Sequence, residues 1–274
     1  MLTATSAGGF GFGFGSAFDV ASREPGPSQG LAAPPRAEVD HEAARPLPFF
    51  YDLYTFRSVA GQTTVVAAYA VQAGDLVTKR VGDNNRYRFS VSLILADTAL
   101  HSVTNRHDSL FVDLPRRLRS EHLLYTHLSV QARPSSSIRQ GVFMIDATQV
   151  GIGQMYWEYI RIPDYSGTHL MLSDVALGQP DAEIGWYRRG TTLALLPTGQ
   201  LPSRAFDVYY EIYNLPAGNP YTTEITVERI DPNSRRRVRD DEPVRLSFSG
   251  EAPEETDGTL PQLRRVGTSF PRGS

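Results

Sequence analysis

The residues that could do chemistry in this chain are its histidines and one run in which histidine, aspartate and serine are adjacent. The run is His107-Asp108-Ser109, which holds the three residue types of a Ser-His-Asp triad. Adjacent residues of one strand point to alternate faces, so these three side chains cannot converge, and a hydrolase site is our third hypothesis only. His101 with His107 and Asp108 is the one grouping that suggests a metal site, and we favour ordinary surface or loop histidines there.

Other chemistry is limited by what the sequence lacks. None of the 274 residues is a cysteine, which excludes disulfides, thiolate metal sites and a cysteine nucleophile. There is no Gly-x-Ser-x-Gly nucleophile elbow and no phosphate-binding loop. Gly151-Ile152-Gly153 precedes a predicted strand and not a helix, so a dinucleotide site is not expected. We therefore predict no enzyme, no cofactor and no metal.

Two arginine clusters are the strongest charged features. Lys79 is the only lysine among the 27 Lys and Arg residues, and arginine binds carboxylates and phosphates through two hydrogen bonds at once. The first cluster is Arg116, Arg117 and Arg119, and the second is Arg235, Arg236, Arg237 and Arg239. The second cluster predicts either a hairpin neutralised by the following Asp240-Asp241-Glu242, or a site for an acidic protein or anionic lipid headgroups. The net charge of −3 argues against nucleic acid as a partner.

Residues 1–48 are predicted to form an extended, low-complexity arm. They contain seven glycines and six prolines, which leave no room for a periodic helix or strand. The segment 1–22 has no Lys or Arg, so we expect no signal peptide. Either the arm is disordered, or it binds a partner through phenylalanines that alternate with glycine. These partner-binding candidates are Phe10, Phe12, Phe14 and Phe18.

From Phe49 onward, short alternating segments predict strands. In Arg86–Leu95 the residues Tyr87, Phe89, Val91, Leu93 and Leu95 share one face, and turn residues separate this segment from its neighbours. No long stretch has helical period, and none approaches the roughly 20 apolar residues of a membrane span. We predict an all-β fold with two tandem immunoglobulin-like β-sandwich domains, 49–178 and 183–274, preceded by the Gly/Pro-rich arm and joined by a linker at Gly178-Gln179-Pro180-Asp181.

Aromatic residues add an indication of binding. Tyr156, Trp157 and Tyr159 alternate along the predicted strand Gln154–Ile162, so part of this set must face outward. Tyrosine, tryptophan and arginine together are the residues that protein interfaces favour.

Two segments resemble the tandem β region of bacterial GWxTD-domain proteins. They are His169-Leu170-Met171-Leu172-Ser173-Asp174-Val175-Ala176-Leu177, after Ile162-Pro163-Asp164, and the strand Phe206–Leu215. The resemblance covers roughly residues 50–270 and implies a tandem β-sandwich without established enzymatic activity. The defining Gly-Trp-x-Thr-Asp motif is absent, since Gly185-Trp186 is followed by Tyr187-Arg188-Arg189. Such proteins continue into a final strand pair after a segment like Leu263–Ser274. We therefore expect either that the sequence is shortened at that end or that the second sandwich lacks strands there and exposes an edge for another chain.

These observations predict a non-catalytic scaffolding protein that binds other protein subunits. We expect it to be an extrinsic subunit of a bacterial membrane complex. A photosynthetic reaction-centre–light-harvesting assembly is one candidate for that complex. The alternative is a carbohydrate or small-ligand binding module. The expected location is the cytoplasm or the cytoplasmic face of the membrane, and the periplasm if the N-terminus is processed.

Overall fold

Strands make up most of the molecule. The computed structural model describes residues 2–6, 11–12, 45–59, 61–97, 103–149, 151–179, 185–197, 205–227, 244–254 and 257–267. No helix occurs among these residues, and the predicted all-β class is confirmed. The strands, numbered β1 to β19 in chain order, form four sheets.

The first sheet has six strands. They are β3 (Arg45–Pro46), β6 (Thr78–Val81), β7 (Asn84–Ala96), β8 (Val103–Leu114), β10 (Ser135–Asp146) and β11 (Ile152–Ile162). The order is β3-β11-β10-β7-β6, and β8 also pairs with β7. All pairs are antiparallel except β3 with β11. The predicted alternation of β7 is confirmed, because Tyr87, Phe89, Val91, Leu93 and Leu95 all belong to one core.

The second sheet has three strands and is buried on both faces. It consists of β4 (Phe49–Arg57), β5 (Thr63–Gln72) and β9 (Leu123–Ala132), in the order β4-β5-β9. Every residue of β5 before Gln72 is buried. That burial explains why β5 is a continuous run of β-branched residues, alanines and one tyrosine, with no polar face.

The third sheet also has six strands. They are β12 (Met171–Leu172), β13 (Ala176–Gln179), β14 (Trp186–Arg188), β15 (Thr191–Leu195), β16 (Ala205–Tyr213) and β19 (Thr259–Gly267). The order is β12-β16-β13-β15-β14, with β19 paired to β16. Pro261 is tolerated in β19 because that strand pairs only with β16 in the described residues.

The predicted linker begins too early. Gly178 and Gln179 are the last residues of β13, where they pair with Leu195 and Ala194. A Cβ at position 178 would lie 2.5 Å from a methyl group of Leu193, so this glycine is needed for close strand packing and not for a turn. The remainder of the linker, Pro180 and Asp181, lies outside the described residues.

The fourth sheet joins the start of the chain to two late strands. It contains β1 (Leu2–Ser6), β2 (Gly11–Phe12), β17 (Pro220–Val227) and β18 (Val244–Glu251), in the order β18-β17-β1-β2. Three short segments of the predicted arm 1–48 are therefore strands, namely β1, β2 and β3, which corrects the expectation that the arm holds none. Residues 13–44 of the arm lie outside the described part of the chain.

Three apolar cores separate the four sheets. The largest lies between the first and second sheets, the next joins Phe56 and Val66 of the second sheet to Trp186 and Tyr209 of the third, and the last lies between the third and fourth sheets. The four sheets are thus stacked in the order first, second, third and fourth. The second sheet contributes to two of the three cores, one on each of its faces. The division into domains at 178 and 183 stays a prediction.

Candidate functional site

The outer face of the first sheet is the main candidate, because no other described sheet packs on it. Odd-numbered residues of β7 point into the core, so even-numbered residues from Arg86 to Ile94 point outward. Directly paired residues of neighbouring antiparallel strands lie on the same face, which extends this surface across the sheet. We call the following set the outer face: Lys79, Arg86, Arg88, Ser90, Ser92, Ile94, His107, Ser109, Phe111, Asp113, Arg139, Gly141, Phe143, Ile145, Met155, Trp157, Tyr159 and Arg161.

Trp157 lies at the centre of the aromatic part of the outer face. It pairs with Gly141 on β10, and a Cβ at position 141 would come within 2.6 Å of the indole ring. The glycine therefore lets the ring lie against the sheet. The guanidinium carbon of Arg139 is 4.5 Å from the centre of the same ring, a cation–π contact. Tyr159, two residues from Trp157 on β11, is 64% exposed, and Phe111, which pairs with Arg88 at the opposite end of the face, is 63% exposed.

The far end of the outer face is positively charged. Arg86 donates two hydrogen bonds to Asp113, at 2.8 and 2.6 Å, and its guanidinium carbon lies 4.7 Å from the centre of the Phe111 ring. The side-chain hydrogen bond from Arg86 lowers the pKa of Asp113, which keeps that carboxylate ionised. Lys79 and Arg88 lie beside this pair and are exposed.

A hydrogen-bonded polar group lies in the middle of the outer face, where sequence analysis considered a triad. The Nδ1 atom of His107 is 2.9 Å from the Ser92 hydroxyl, and Nε2 is 3.5 Å from the Ser109 hydroxyl. Asp108 points to the other side of β8, and its carboxylate accepts the backbone N–H of Ser109 at 2.8 Å. The three adjacent residues therefore do not converge. His101 lies outside the described residues, and the described part of the chain holds no group of three or more His, Asp or Glu suited to a metal ion.

The first arginine cluster lies in the loop between β8 and β9. Arg116, Arg117 and Arg119 are all exposed. Between them, the backbone N–H of Leu118 donates to the Tyr87 hydroxyl at 2.8 Å, and the leucine packs on the first core. This anchor holds the loop while the arginines face solvent.

The structure does not test most of the other predicted site residues. Phe10, Phe14 and Phe18, like Arg235, Arg236, Arg237 and Arg239, lie outside the described residues. Phe12 lies in β2. The outer face itself was only partly predicted, from Trp157 and Tyr159, because nothing in the sequence shows how β8, β10 and β11 are ordered.

A buried ion pair between the second and third sheets was missed by sequence analysis. Glu211 of β16 is fully buried. Arg188 of β14 donates to both of its carboxylate oxygens, at 2.7 and 2.8 Å, and the hydroxyls of Tyr209 and Tyr213 each donate to one of them at 2.7 Å. Burial, and next the negative charge of Glu211, raise the pKa of both tyrosines, so they remain neutral donors. The sequence feature that could have indicated this ion pair is a single glutamate between the aromatic and apolar residues of Tyr209–Tyr213.

A second polar contact continues this network into β4. Asp174 accepts hydrogen bonds from the backbone N–H and the hydroxyl of Thr55, at 2.7 and 2.6 Å. The Thr55 hydroxyl also lies 2.9 Å from that of Tyr165. Because both carboxylates are buried and hydrogen-bonded, the network is suited to holding the second and third sheets together rather than to acting on a substrate.

Comparison with models of known protein families and with curated proteins gives no match to this sequence. The resemblance to GWxTD-domain proteins therefore stays a prediction. In the described residues, no helix has the length and apolar character needed to cross a membrane.

Proposed function

We propose that this chain is a non-catalytic interaction protein that binds another protein through the outer face of its first sheet. The carrying observation is the aromatic group at one end of that face, where Trp157 lies on Gly141 under Arg139 and the exposed ring of Tyr159 is two residues away on the same strand. Phe111 adds an exposed ring at the opposite end of the face. Tyrosine, tryptophan and arginine are enriched among residues that dominate binding energy at interfaces.

The stacked sheets support this proposal mechanically. A shared second sheet, buried on both faces, makes the described sheets a rigid support for the outer face. In finer form, we propose that the stack consists of two tandem immunoglobulin-like sandwiches that share this inner contact. The role of such a body is to hold a partner in place, as an extrinsic subunit of a membrane complex would.

The alternative function is a carbohydrate or small-ligand binding module. Its support is the same aromatic group, since sugar rings stack on exposed aromatic side chains. Arg139 already covers the ring of Trp157, which is the surface that a sugar would need. A protein partner is therefore favoured.

The test is purification of the full chain from native membranes and cytosol, followed by size exclusion and mass spectrometry of co-eluting proteins. We expect a partner to co-elute with the wild type and to be lost from the double variant Tyr159→Ser/Phe111→Ser. Tyr187→Ser is the matched control, because Tyr187 is 70% exposed on β14, away from the outer face. A partner retained by the double variant, or a lone monomer in every fraction, would refute the proposal.

A further inference from the structure

We infer that the partner of the outer face carries acidic residues around an apolar contact. This inference rests on the proposed function and adds the chemical class of the partner. Five outer-face residues are basic: Lys79, Arg86, Arg88, Arg139 and Arg161. Among the described residues of the outer face the only acidic one is Asp113, and Arg86 already binds it through two hydrogen bonds. Asp108, Asp146 and Glu158 of the same strands lie on the opposite side by register.

The free cations on this face need partners of opposite charge. In the described part of the chain, Lys79, Arg88 and Arg161 make no ion pair and are exposed. Asp83 lies in the turn between β6 and β7, and Asp97 directly follows the last residue of β7. An approaching protein with Asp or Glu at matching positions would gain charge-assisted hydrogen bonds and faster association, and a basic partner would be rejected.

The cations lie at both ends of a central region that holds the apolar side chains of Ile94, Phe143, Ile145 and Met155 beside a smaller polar group. Arg139 pairs with Ala96 of β7, and Arg88 lies eight residues before Ala96 on that strand. At roughly 3.3 Å per residue, the two ends are about 26 Å apart. A standard interface buries about 800 Å² on each partner, which corresponds to a patch about 28 Å on a side. The charged ends are thus spaced as the rim of one such interface.

The centre of the outer face favours a protein over a membrane. Between the two cationic ends lie Ser90, Ser92, His107 and Ser109, linked by hydrogen bonds of 2.7 to 3.5 Å. Hydrocarbon offers no further partners to such groups and makes their burial costly. A protein interface accommodates them, since it carries about one hydrogen bond per 100–200 Å².

The experiment selects binders from a displayed library of small folded domains with one randomised flat surface, using the full chain as bait. We expect enriched binders to combine an apolar centre with an excess of Asp and Glu. Their affinity should fall at least tenfold for Arg88→Glu/Arg161→Glu and with rising salt concentration. It should not fall for Arg245→Glu, which changes an exposed arginine on β18.

The outcomes separate this inference from the proposed function. Neutral or basic binders that require Tyr159 and Phe111, but tolerate the charge reversals, would overturn the inference and leave the proposed function standing. Binders that require neither aromatic residue, or no binders at all, would count against both. Binding to phosphatidylserine–phosphatidylcholine vesicles that depends on Arg88 and Arg161, without protein binders, would replace the acidic protein by an anionic membrane.

Discussion

Replacing Glu211 by glutamine should cost this protein a large part of its stability. The substitution keeps the side-chain volume, so it opens no cavity, and removes only the negative charge. Four hydrogen bonds reach the wild-type carboxylate, two from Arg188 and one each from Tyr209 and Tyr213. The amide oxygen of glutamine can still accept two of them, whereas its NH2 group faces donors.

The expected loss follows from the two hydrogen bonds that cannot be replaced. A hydrogen bond to a charged group contributes about 1.5–3 kcal/mol, so two of them correspond to about 3–6 kcal/mol. Breaking a buried ion pair by removing one partner costs about 3–5 kcal/mol, which agrees. The Arg188 side chain is 15% exposed, so the charge left behind has little water to solvate it. Because domains are stable by only about 5–15 kcal/mol, the variant should unfold at clearly lower urea concentration.

The assay is urea unfolding followed by tryptophan fluorescence. Trp186 is a suitable probe because it is 4% exposed and its ring lies 5.4 Å from that of Tyr209, within the same contact between sheets. The matched control is Asp113→Asn, which also removes a carboxylate that holds an arginine through two hydrogen bonds, but at the surface. We expect that control to show no resolvable change.

A double-mutant cycle with Arg188→Met identifies the cause. Without the arginine, Glu211→Gln no longer strands a buried cation, so the double variant should lose less than the sum of the single losses, by about 0.5–3 kcal/mol. The reasoning would be refuted if Glu211→Gln lowered the free energy of unfolding by no more than about 1 kcal/mol, which is the contribution of a surface ion pair. Strictly additive losses would refute it as well.

Three further predictions concern single residues. Gln140 is fully buried, and neither its amide oxygen nor its amide nitrogen has a hydrogen-bond partner. Gln140→Leu should therefore raise the free energy of unfolding, measured by urea titration, by about 1–3 kcal/mol. A decrease would show that the amide group does make hydrogen bonds in the wild type. Gly141→Ala should displace the Trp157 ring from the sheet and from Arg139, which a red shift of tryptophan emission would show. An unchanged emission spectrum would contradict the contact between Trp157 and Gly141. Burial lowers the pKa of His127, so the unfolded chain binds a proton at this residue first as the pH falls below about 6.5, and the stability of the folded protein decreases. Between about pH 7.5 and 5, the melting temperature of His127→Gln should therefore fall less than that of the wild type. Equal falls would exclude this histidine as a cause.

Sequence alternation predicts strands well where one face is apolar. The predicted segment Arg86–Leu95 corresponds to β7, and the strand Phe206–Leu215, expected from the resemblance, overlaps β16. A strand was expected at His107–Ser109, but alternation did not predict the extent of β8, because at the sheet edge both of its faces meet water and its middle residues, Arg106, His107 and Asp108, are all polar. Alternation is informative only when burial differs between the two faces.

Neither face of a strand can be assigned to a particular neighbour from one sequence. In β16 alternation separates the set Phe206, Val208, Tyr210 and Ile212 from the set Asp207, Tyr209, Glu211 and Tyr213. Both sets are buried, against different sheets, and the buried position of Glu211 depends on Arg188 being brought to it by β14. Such long-range pairing carries no local signal, which is why the outer face was found in fragments and the buried ion pair not at all.

The layered arrangement separates the buried ion pair from the surface that we propose for partner binding. The Glu211–Arg188 pair lies between the second and third sheets, whereas the outer face belongs to the first sheet and points away from both. The two are separated by the first core and by β5, whose residues before Gln72 are all buried. Close-packed cores of this kind resist small displacements, so a change at Glu211 that leaves the chain folded should not reach Trp157. The effects of Tyr159→Ser/Phe111→Ser on partner binding can therefore be attributed to the surface itself.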